Sequence, residues 1–395
     1  MAKELTLEDL EKDIRANYMG KDFDENKLDE PFELTRRRIR DFSWGLSDDN
    51  PLFCDPAYAA RTRWECQLAP PTIASAIRYP QSHLAIWDKP YNAVNLVGGC
   101  KFEWFNVFRV GDRITTSLMI ADTERKEGKT GPLIFVYTEG NLWNQHGDLI
   151  AKQRATQIQI EMQKGAERGK KMVYEQEPYK YSKEEIKKIV DCYDAETRRG
   201  SKPLYWDEVK AGDKLQTMVR GPLTLGDMIQ FNARSYYEQR CPGTFRVTLN
   251  AIRNSPPDTL RTNPKTNWPY EDVMWEHYDT NLVQARNLPL PFDLGCMRYE
   301  MAGTVITNWM GDDGFLRRLD VQIRRPVFYG DTTWFSGEVV NKYKVTEGGV
   351  EYNAVDVKIE GVNQLGLANT VGTATAYLPA PGREVQIPIP AGEAK

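Results

Sequence analysis

Apolar and β-branched residues gather in short runs along two parts of this chain, and polar turn signals separate the runs. The first part, residues 115–160, has turn signals around Gly128 and Gly147. The second part, residues 333–378, has the same form, with a turn at the double glycine that begins at Gly348. Each part predicts three strands joined by hairpins, which together form an antiparallel meander.

The two parts also share a motif. Gly-Asp stands just before each part and is followed, 33 residues later, by Asn-Gln-x-Gly, starting at Gly111 in the first copy and at Gly330 in the second. A self-similar pattern with so long a period indicates two copies of one structural unit rather than a solenoid of small repeats. One copy of such a pair can keep reactive residues while the other loses them.

Helical spacing of apolar residues precedes the strands in each copy. The simplest unit is one long helix wrapped by an antiparallel sheet, which gives each copy an α+β fold. The predicted helices are Thr35–Leu46, Asp55–Glu65 and Ile73–Tyr79 in the first copy, and Tyr278–Ala285 and Cys296–Asn308 in the second.

A charged segment, residues 162–203, separates the copies. Within it, Ser182 and Glu185 form a capping box ahead of apolar residues at helical spacing, which predicts a surface helix in a linker. We therefore expect an N-terminal unit at residues 1–161 and a C-terminal unit at residues 204–395, with an insertion near 241–270.

Composition excludes several classes of protein. The net charge is −4 with lysine and arginine dispersed along the chain, so nothing predicts nucleic-acid binding. No apolar run of about 18 residues occurs, and the N-terminus has no apolar signal segment, so we expect no membrane association. Six separated cysteines without a C-x-x-C pair are typical of reduced thiols in a cytoplasmic protein. With only three scattered histidines, a histidine-rich metal site is not expected.

One of the three histidines has carboxylates near it in sequence. Asp272 precedes His277 by five residues, and Asp279 follows it by two. The first copy has carboxylates with the same spacing at Asp48 and Asp55, but Phe53 occupies the position of the imidazole. His146 lies in the Asn-Gln-x-Gly turn and is Leu365 in the second copy, so we expect it to be a turn residue.

The segment Asp48-x-Asn50-Pro51-Leu52-Phe53-x-Asp55-Pro56 resembles the D-x-N-P-apolar-H-x-D-P signature of the MaoC-like (R)-specific enoyl-CoA hydratases, with histidine replaced. The strands that contain Gly-Asp and Asn-Gln-x-Gly are similar to the sheet of the same hotdog fold. The resemblance spans most of residues 30–160 and 204–380 and implies a double hotdog.

In that family the signature Asp and His hold one water against the enoyl double bond. The resemblance assigns these catalytic roles to Asp272 and His277, with Gly295 as the backbone oxyanion donor at a helix start. The second copy departs from the signature at Met274 and Trp275, where the family has Asn and Pro.

Hydration of an unsaturated thioester needs a group that takes a proton from water, a proton donor for Cα and stabilisation of charge on the thioester oxygen. Imidazole and carboxylate suit these tasks at neutral pH. We predict that the first copy shapes the substrate groove, with Asp48, Asn50, Phe53 and, from the second copy, Asp279 as substrate-binding residues.

The expected activity is reversible hydration of an enoyl-CoA to a 3-hydroxyacyl-CoA, with coenzyme A as part of the substrate and no separate cofactor. Two alternatives stay open: an acyl-CoA thioesterase and a non-catalytic acyl-CoA-binding or partner subunit. A homodimer and a monomer are both compatible with the sequence. Four arginines near a strand are a weaker hypothesis for phosphate binding, since surface charge explains them equally: Arg317, Arg318, Arg324 and Arg325.

Overall fold

The fold is that of a computed structural model, which describes residues 5–391 apart from 23–30, 81–90, 92, 129–130, 162–173, 175, 236–244, 247–248, 250–252, 254–260, 271–272 and 285–287. The helices are α1 Leu7–Asp13, α2 Arg36–Gly45, α3 Pro51–Cys54, α4 Pro56–Ala59, α5 Ala74–Ile77, α6 Lys183–Ala195, α7 Leu225–Ser235, α8 Thr280–Gln284 and α9 Gly295–Met310. Short 3₁₀ turns span Pro71–Ile73, Trp206–Glu208 and Val273–His277, and a π-helical turn spans Ile14–Tyr18.

The strands of the first half are β1 Phe32–Glu33, β2 Ala93–Trp104, β3 Arg113–Gly128, β4 Gly131–Trp143 and β5 Leu149–Glu161. Those of the second half are β6 Met218–Arg220, β7 Arg261–Thr262, β8 Pro269–Tyr270, β9 Phe315–Ile323, β10 Thr333–Glu347, β11 Val350–Asn363 and β12 Ala368–Tyr377. Both predicted meanders are present, as β3–β5 and β10–β12.

Ten strands form one antiparallel sheet in the order β1-β3-β4-β5-β2-β9-β12-β11-β10-β6. Read from the centre outwards, the order is the same in both directions, because each strand of the first half has its counterpart in the second. The halves join where β2 pairs with β9, from Gly99 opposite Gln322 to Glu103 opposite Arg318. This arrangement is the double hotdog, an α+β fold, and it confirms the predicted fold class.

Gly99 allows the two central strands to approach each other. Its φ of +148° lies in a region that favours glycine, and a Cβ there would meet the Val321 carbonyl oxygen at 2.1 Å. A side chain at this position would therefore disrupt the junction between the halves.

The central helices of the halves differ in length. Helix α9 has 16 residues and is buried against the sheet, and a Cβ on its Gly303 would meet the Thr72 side chain of the first half at 2.5 Å. In the first half the corresponding helical segment ends at Ile77, where the chain becomes extended at Arg78. Leu7, Leu10 and other apolar residues of the N-terminal segment pack against β3 and β4 there. The prediction of one long wrapped helix is thus met by the second half alone.

The helix predicted at residues 55–65 is wrong beyond its first turn. Helix α4 ends at Ala59, and Glu65 has a φ of +56°, a left-handed conformation that no α-helix can contain. The linker helix is confirmed as α6, with the predicted capping box between Ser182 and Glu185.

The repeated Gly-Asp and Asn-Gln-x-Gly motifs form matching turns. The Asp112 carboxylate accepts a hydrogen bond from the backbone N–H three residues earlier at 2.8 Å, and Asp331 does so at 2.9 Å. The Asn144 side-chain oxygen accepts from the N–H groups two and four residues later, at 3.0 and 2.9 Å, and Asn363 does so at 3.0 Å for both.

The glutamine of the motif joins the two turns. Gln145 accepts from the N–H of the residue after Asp112, and Gln364 from that after Asp331, both at 3.0 Å. His146 lies in this turn, which confirms its prediction as a turn residue. The repeated motif therefore has a structural role, and reactive groups must lie elsewhere.

No helix among the described residues is both long enough and apolar enough to cross a membrane. The five cysteines in this part of the chain have free thiols.

Candidate active site

His277 closes the 3₁₀ turn that precedes α8, and two hydrogen bonds fix it. Its ring Nδ1 lies 2.8 Å from the Phe292 carbonyl oxygen, and the two rings are 4.4 Å apart between centroids. The Tyr329 hydroxyl donates to the His277 carbonyl oxygen at 2.6 Å. The side chain and the backbone of His277 are thus bound to two other segments of the second half.

The contact with Phe292 also selects the tautomer. A carbonyl oxygen only accepts hydrogen bonds, so Nδ1 must be the donor and must bear a proton. In the neutral ring Nε2 then has the lone pair. His277 is therefore held in the form that can take a proton from water at Nε2.

The Phe292 segment is itself braced by a buried ion pair. Asp293 and Arg298 are both almost fully buried, with Oδ2 and Nε 2.7 Å apart. Asp293 also exchanges two hydrogen bonds with Val327, its N–H donating at 2.9 Å and its Oδ1 accepting at 3.0 Å. Burial raises the pKa of Asp293, and the charge of Arg298 opposes that shift. This pair keeps the segment that holds His277 in a defined place.

Gly295 begins α9, three residues after Phe292. Leu294 at the N-cap supplies no side-chain hydrogen bond, so the partial positive charge of the helix start is not neutralised by a capping side chain. A Cβ on Gly295 would meet Val97 of β2 at 2.9 Å. The glycine therefore lets the helix start approach the first half closely, in addition to any role as an oxyanion donor.

Asp272, the predicted partner of His277, lies outside the described residues. The turn that follows it is formed without the Asn-Pro of the family signature: the Trp275 carbonyl accepts from the N–H groups of Tyr278 and Asp279, at 3.0 and 2.8 Å. The segment that takes the place of the signature's Asn-Pro thus forms a 3₁₀ turn.

Asp279, predicted to bind substrate, caps α8. Its Oδ1 accepts from the N–H groups of Asn281 at 2.7 Å and Leu282 at 3.3 Å. In the first half Asp55 caps α4 in the same way, at 2.8 and 3.1 Å. Matching caps in both halves show that this aspartate has a structural function in each.

Asp48 in the first half is fully buried. Its Oδ1 accepts from the Asn50 N–H at 3.0 Å, and its Oδ2 has no hydrogen-bond partner among the described residues. Burial raises the pKa of Asp48 to about 6, against the lowering effects of the Asn50 hydrogen bond and of Arg198 and Arg220. Asn50 in turn caps α3 through the Leu52 N–H at 3.0 Å.

The loop before Asp48 is held by the second half. Arg220 of β6 donates to the carbonyl oxygens of Leu46 and Ser47, both at 3.1 Å, and forms a buried ion pair with Glu196 at 2.7 Å. These contacts position the backbone next to the buried Asp48.

Phe53 and Asn50 line a small apolar cavity of about 40 Å³. Phe53 is buried, and its carbonyl accepts from the side chain of Gln67. Trp64 and Trp104 also line this cavity. The opposite wall comes from the C-terminal end of α9, at Met310 and Gly311.

The predicted site residues therefore fall into two groups. His277 and Gly295 are at the start of α9, whereas Asn50 and Phe53 face its end. A helix of 16 residues is about 24 Å long, so the groups are separated by roughly that distance. The structure does not bring Phe53 to His277.

The arginine hypothesis requires a correction at Arg317. This residue is buried and forms ion pairs with Glu347 at 2.8 Å and Glu103 at 3.3 Å, so it is not available to a phosphate. Within the described ranges, no group of three or more His, Cys, Asp and Glu residues could hold a metal ion.

Sequence reasoning missed Phe292, Tyr329 and the Asp293–Arg298 pair. Only one signal was available for them: Asp293 stands three residues before a predicted helix, where acidic residues often interact with the helix start. Nothing in the sequence connects His277 to a carbonyl 15 residues later.

Comparison with known proteins agrees with this architecture. The family described as "FAS1-like, dehydratase domain region" matches residues 17–153. A UPF0336 protein of Thermobifida fusca is 32% identical over 119 residues, which are 29% of this chain and 76% of the relative. A solved MaoC-like dehydratase superposes with a TM-score of 0.61 at 16% identity, covering 91% of this chain and 98% of the other.

A conserved hypothetical protein of Mycobacterium tuberculosis, described as having a double hotdog fold, superposes with a TM-score of 0.53. It is 11% identical and covers 91% of this chain and 96% of its own. At such identities the structural matches establish the shared fold.

Proposed function

This chain belongs to the MaoC-like dehydratase family in its double-hotdog form and to the UPF0336 proteins, and we propose that it reversibly hydrates an enoyl-CoA thioester. The observation that supports this most directly is the fixed imidazole of His277, bound at Nδ1 by Phe292 and therefore able to accept a proton at Nε2. The proposed substrate class is an acyl-CoA, in which coenzyme A belongs to the substrate.

His277 would take the proton of a water molecule, or orient it, as that water attacks the β-carbon. The Asp272 carboxyl group would hold the same water. The proton that leaves this water would pass through the Asp272/His277 pair to Cα, and the other proton of the water stays on the new hydroxyl group. Positioned acid–base groups contribute about 10²- to 10⁴-fold to such a step. Which of the two residues acts as base is left open in this proposal.

Negative charge then develops on the thioester oxygen. The N–H group of Gly295 at the start of α9 is the proposed donor to that oxygen, because the helix start concentrates partial positive charge and lacks a side-chain cap. Gly295 is three residues after Phe292, whose carbonyl binds His277. The proposed oxyanion donor and the imidazole therefore lie at the same end of α9.

Purified protein incubated with crotonyl-CoA and longer enoyl-CoAs tests the activity. Loss of the conjugated-thioester absorbance without release of free thiol is expected. Release of thiol would instead show a thioesterase, and absence of either change over a range of chain lengths would favour a binding subunit.

The stereochemistry tests the assignment of the two residues. One Asp/His pair that holds a single water would deliver oxygen and proton from the same face. Hydration of a trans-2-enoyl-CoA in deuterium oxide should therefore add oxygen and deuterium syn, with (R) configuration at C3. Chiral chromatography and proton coupling constants read both centres, and an (S) product or anti addition would remove Asp272 and His277 from these roles.

A further inference from the structure

Exposed large apolar side chains are concentrated on three helices. Of the twelve such residues in the described part of the chain, six belong to α2, α6 and α7. Ile186 and Ile229 are each 50% exposed and Val190 is 48% exposed. A group of this kind on a soluble protein marks an interaction surface more often than isolated apolar residues do.

Helix α6 contacts the segment that leads into α7. The Tyr193 hydroxyl of α6 donates to the Gly221 carbonyl and accepts from the Gly221 N–H, both at 3.0 Å. Gly221 lies four residues before Leu225, the first residue of α7. We define the α6–α7 apolar surface as Ile186, Val190, Tyr193, Leu225 and Ile229. Trp44 of α2 is left out because the guanidinium groups of Arg40 and Arg234 lie against its ring, at 4.8 and 5.6 Å.

Helix α6 is anchored by one residue of its apolar stripe. Ile189 is buried, whereas Ile186 and Val190, four residues apart on one side of the helix, are about half exposed. Only part of the stripe therefore packs on the protein, and the remaining part is available to another surface.

A row of charges runs beside the exposed stripe. Lys183, Lys187, Asp191 and Asp194 follow each other at helical spacings of four, four and three, which places them along one side of α6. The order along the row is positive, positive, negative, negative. Within one chain the middle two already pair, with Lys187 Nζ 2.6 Å from Asp191.

This row of charges is complementary to the same row on a second helix that runs in the opposite direction. Two antiparallel copies of α6 place the lysine half of one helix beside the aspartate half of the other, whereas parallel copies oppose like charges. The dipoles of antiparallel helices also oppose each other favourably. The surface thus matches a twofold partner in both its apolar stripe and its charges.

We infer that the α6–α7 apolar surface is a contact between two copies of this chain, in which two α6 helices pack antiparallel about a twofold axis near Ile189 and Val190. The contact buries the exposed stripe and brings Lys187 of each copy beside Asp191 of the other. It does not depend on the proposed hydratase activity.

Sedimentation equilibrium of the full-length protein tests this inference. We expect a concentration-dependent mass that approaches twice 45.4 kDa. Val190→Asp should raise the dissociation constant by at least about 100-fold, because a carboxylate would have to be buried at the axis. Leu365→His is the matched control: Leu365 is 50% exposed and the first half has His146 in its place, so this variant should dimerise like the wild type.

A charge exchange tests the antiparallel arrangement. Lys187→Asp alone should weaken the dimer about tenfold, since it opposes two pairs of like charges. Adding Asp191→Lys to it should restore dimerisation, because both the intrahelical and the intermolecular pairs are then re-formed with reversed sign.

A circular dichroism spectrum like that of the wild type shows that the fold of each variant is intact, since loss of the dimer by itself lowers Tm. A monomeric wild type at the highest soluble concentration, a dimer as insensitive to Val190→Asp as to Leu365→His, or a double exchange that does not recover would each overturn the inference.

Discussion

His277 in the second half and Phe53 in the first half stand at equivalent positions, each two residues before an aspartate that caps the next helix. Around Phe53 the loop is closed, with Asp48 fully buried and Arg220 bound to the backbone on its N-terminal side. Around His277 the backbone presents an imidazole in one tautomer. The comparison teaches that both halves keep the same caps and turns, whereas only the second half has an imidazole at this position.

The largest effect is expected from removing the reactive group. His277→Ala and Asp272→Asn should each lower kcat for enoyl-CoA hydration by at least about 10²-fold, the low end for lost acid–base catalysis. Asp48→Asn, the equivalent change in the first half, should have a much smaller effect on kcat. Steady-state kinetics of the three variants measures these effects. A large loss of kcat in Asp48→Asn with none in His277→Ala would contradict this assignment.

Restoring histidine in the first half should not restore activity. In a His277→Ala, Phe53→His variant, kcat should stay within a few-fold of the His277→Ala value, because the surroundings of Phe53 are not built around an imidazole and positioning errors near 1 Å cost about 10²-fold. Phe53 is buried against a cavity of only about 40 Å³, so the replaced ring has little room to turn. Recovery to wild-type activity would show that the two halves are chemically interchangeable.

A smaller effect concerns stability. Burial raises the pKa of Asp48 to about 6 from an ordinary value of 3.8, so the folded state binds the proton more tightly than the unfolded state does. The free energy of unfolding should therefore decrease by about 3 kcal/mol as the pH rises from about 4 to 6, and it should stay lower above pH 6. Asp48→Asn should remove most of this loss, raising the Tm at pH 7 and flattening its pH dependence.

Asp49→Asn is the control for this measurement, since Asp49 is the adjacent residue and its side chain is 72% exposed. It should leave the slope of Tm against pH unchanged between pH 4 and 6. Equal slopes in the wild type and Asp48→Asn would contradict the buried-carboxyl account.

The smallest effects should be the same in both halves. Asp279→Ala and Asp55→Ala each remove a helix cap and should each lower the free energy of unfolding by about 1 kcal/mol. Asp279→Ala should change KM for enoyl-CoA by less than about threefold if the cap is its main function. Denaturant titration measures the free energy of unfolding and steady-state kinetics measures KM, and a large rise in KM would support the predicted role of Asp279 in substrate binding.

The sequence predicted the hairpins of this fold because their turns depend on local residues, such as the Asn144 and Asn363 side chains that bind their own turns. It missed β2, since Gly98-Gly99 indicates a turn, whereas the structure uses Gly99 for the approach of β9. It also missed most of β9, whose polar residues include Arg317, buried through its pairing with Glu347.

The candidate site was predictable only where the chemistry is local in sequence. His277 and the start of α9 could be found from residue type and helix signals. The hydrogen bonds to Phe292 and from Tyr329 could not, because they join segments that come together only when the sheet has formed. For the same reason the sequence could not predict that Phe53 and His277 lie roughly 24 Å apart.

The pairing of β2 with β9 also bears on how the chain is made. These strands are more than 200 residues apart in sequence, so on the ribosome β2 is synthesised long before its partner. Until β9 is synthesised, the edge of β2 that includes Lys101 and Glu103 is unpaired and can bind other chains. Strand pairs between segments so distant in sequence are also slow to form. Each half expressed alone would keep that unpaired edge, and we expect it to aggregate or pair with another copy of itself. Co-expression of the two halves should recover soluble protein, because the two halves then pair through β2 and β9.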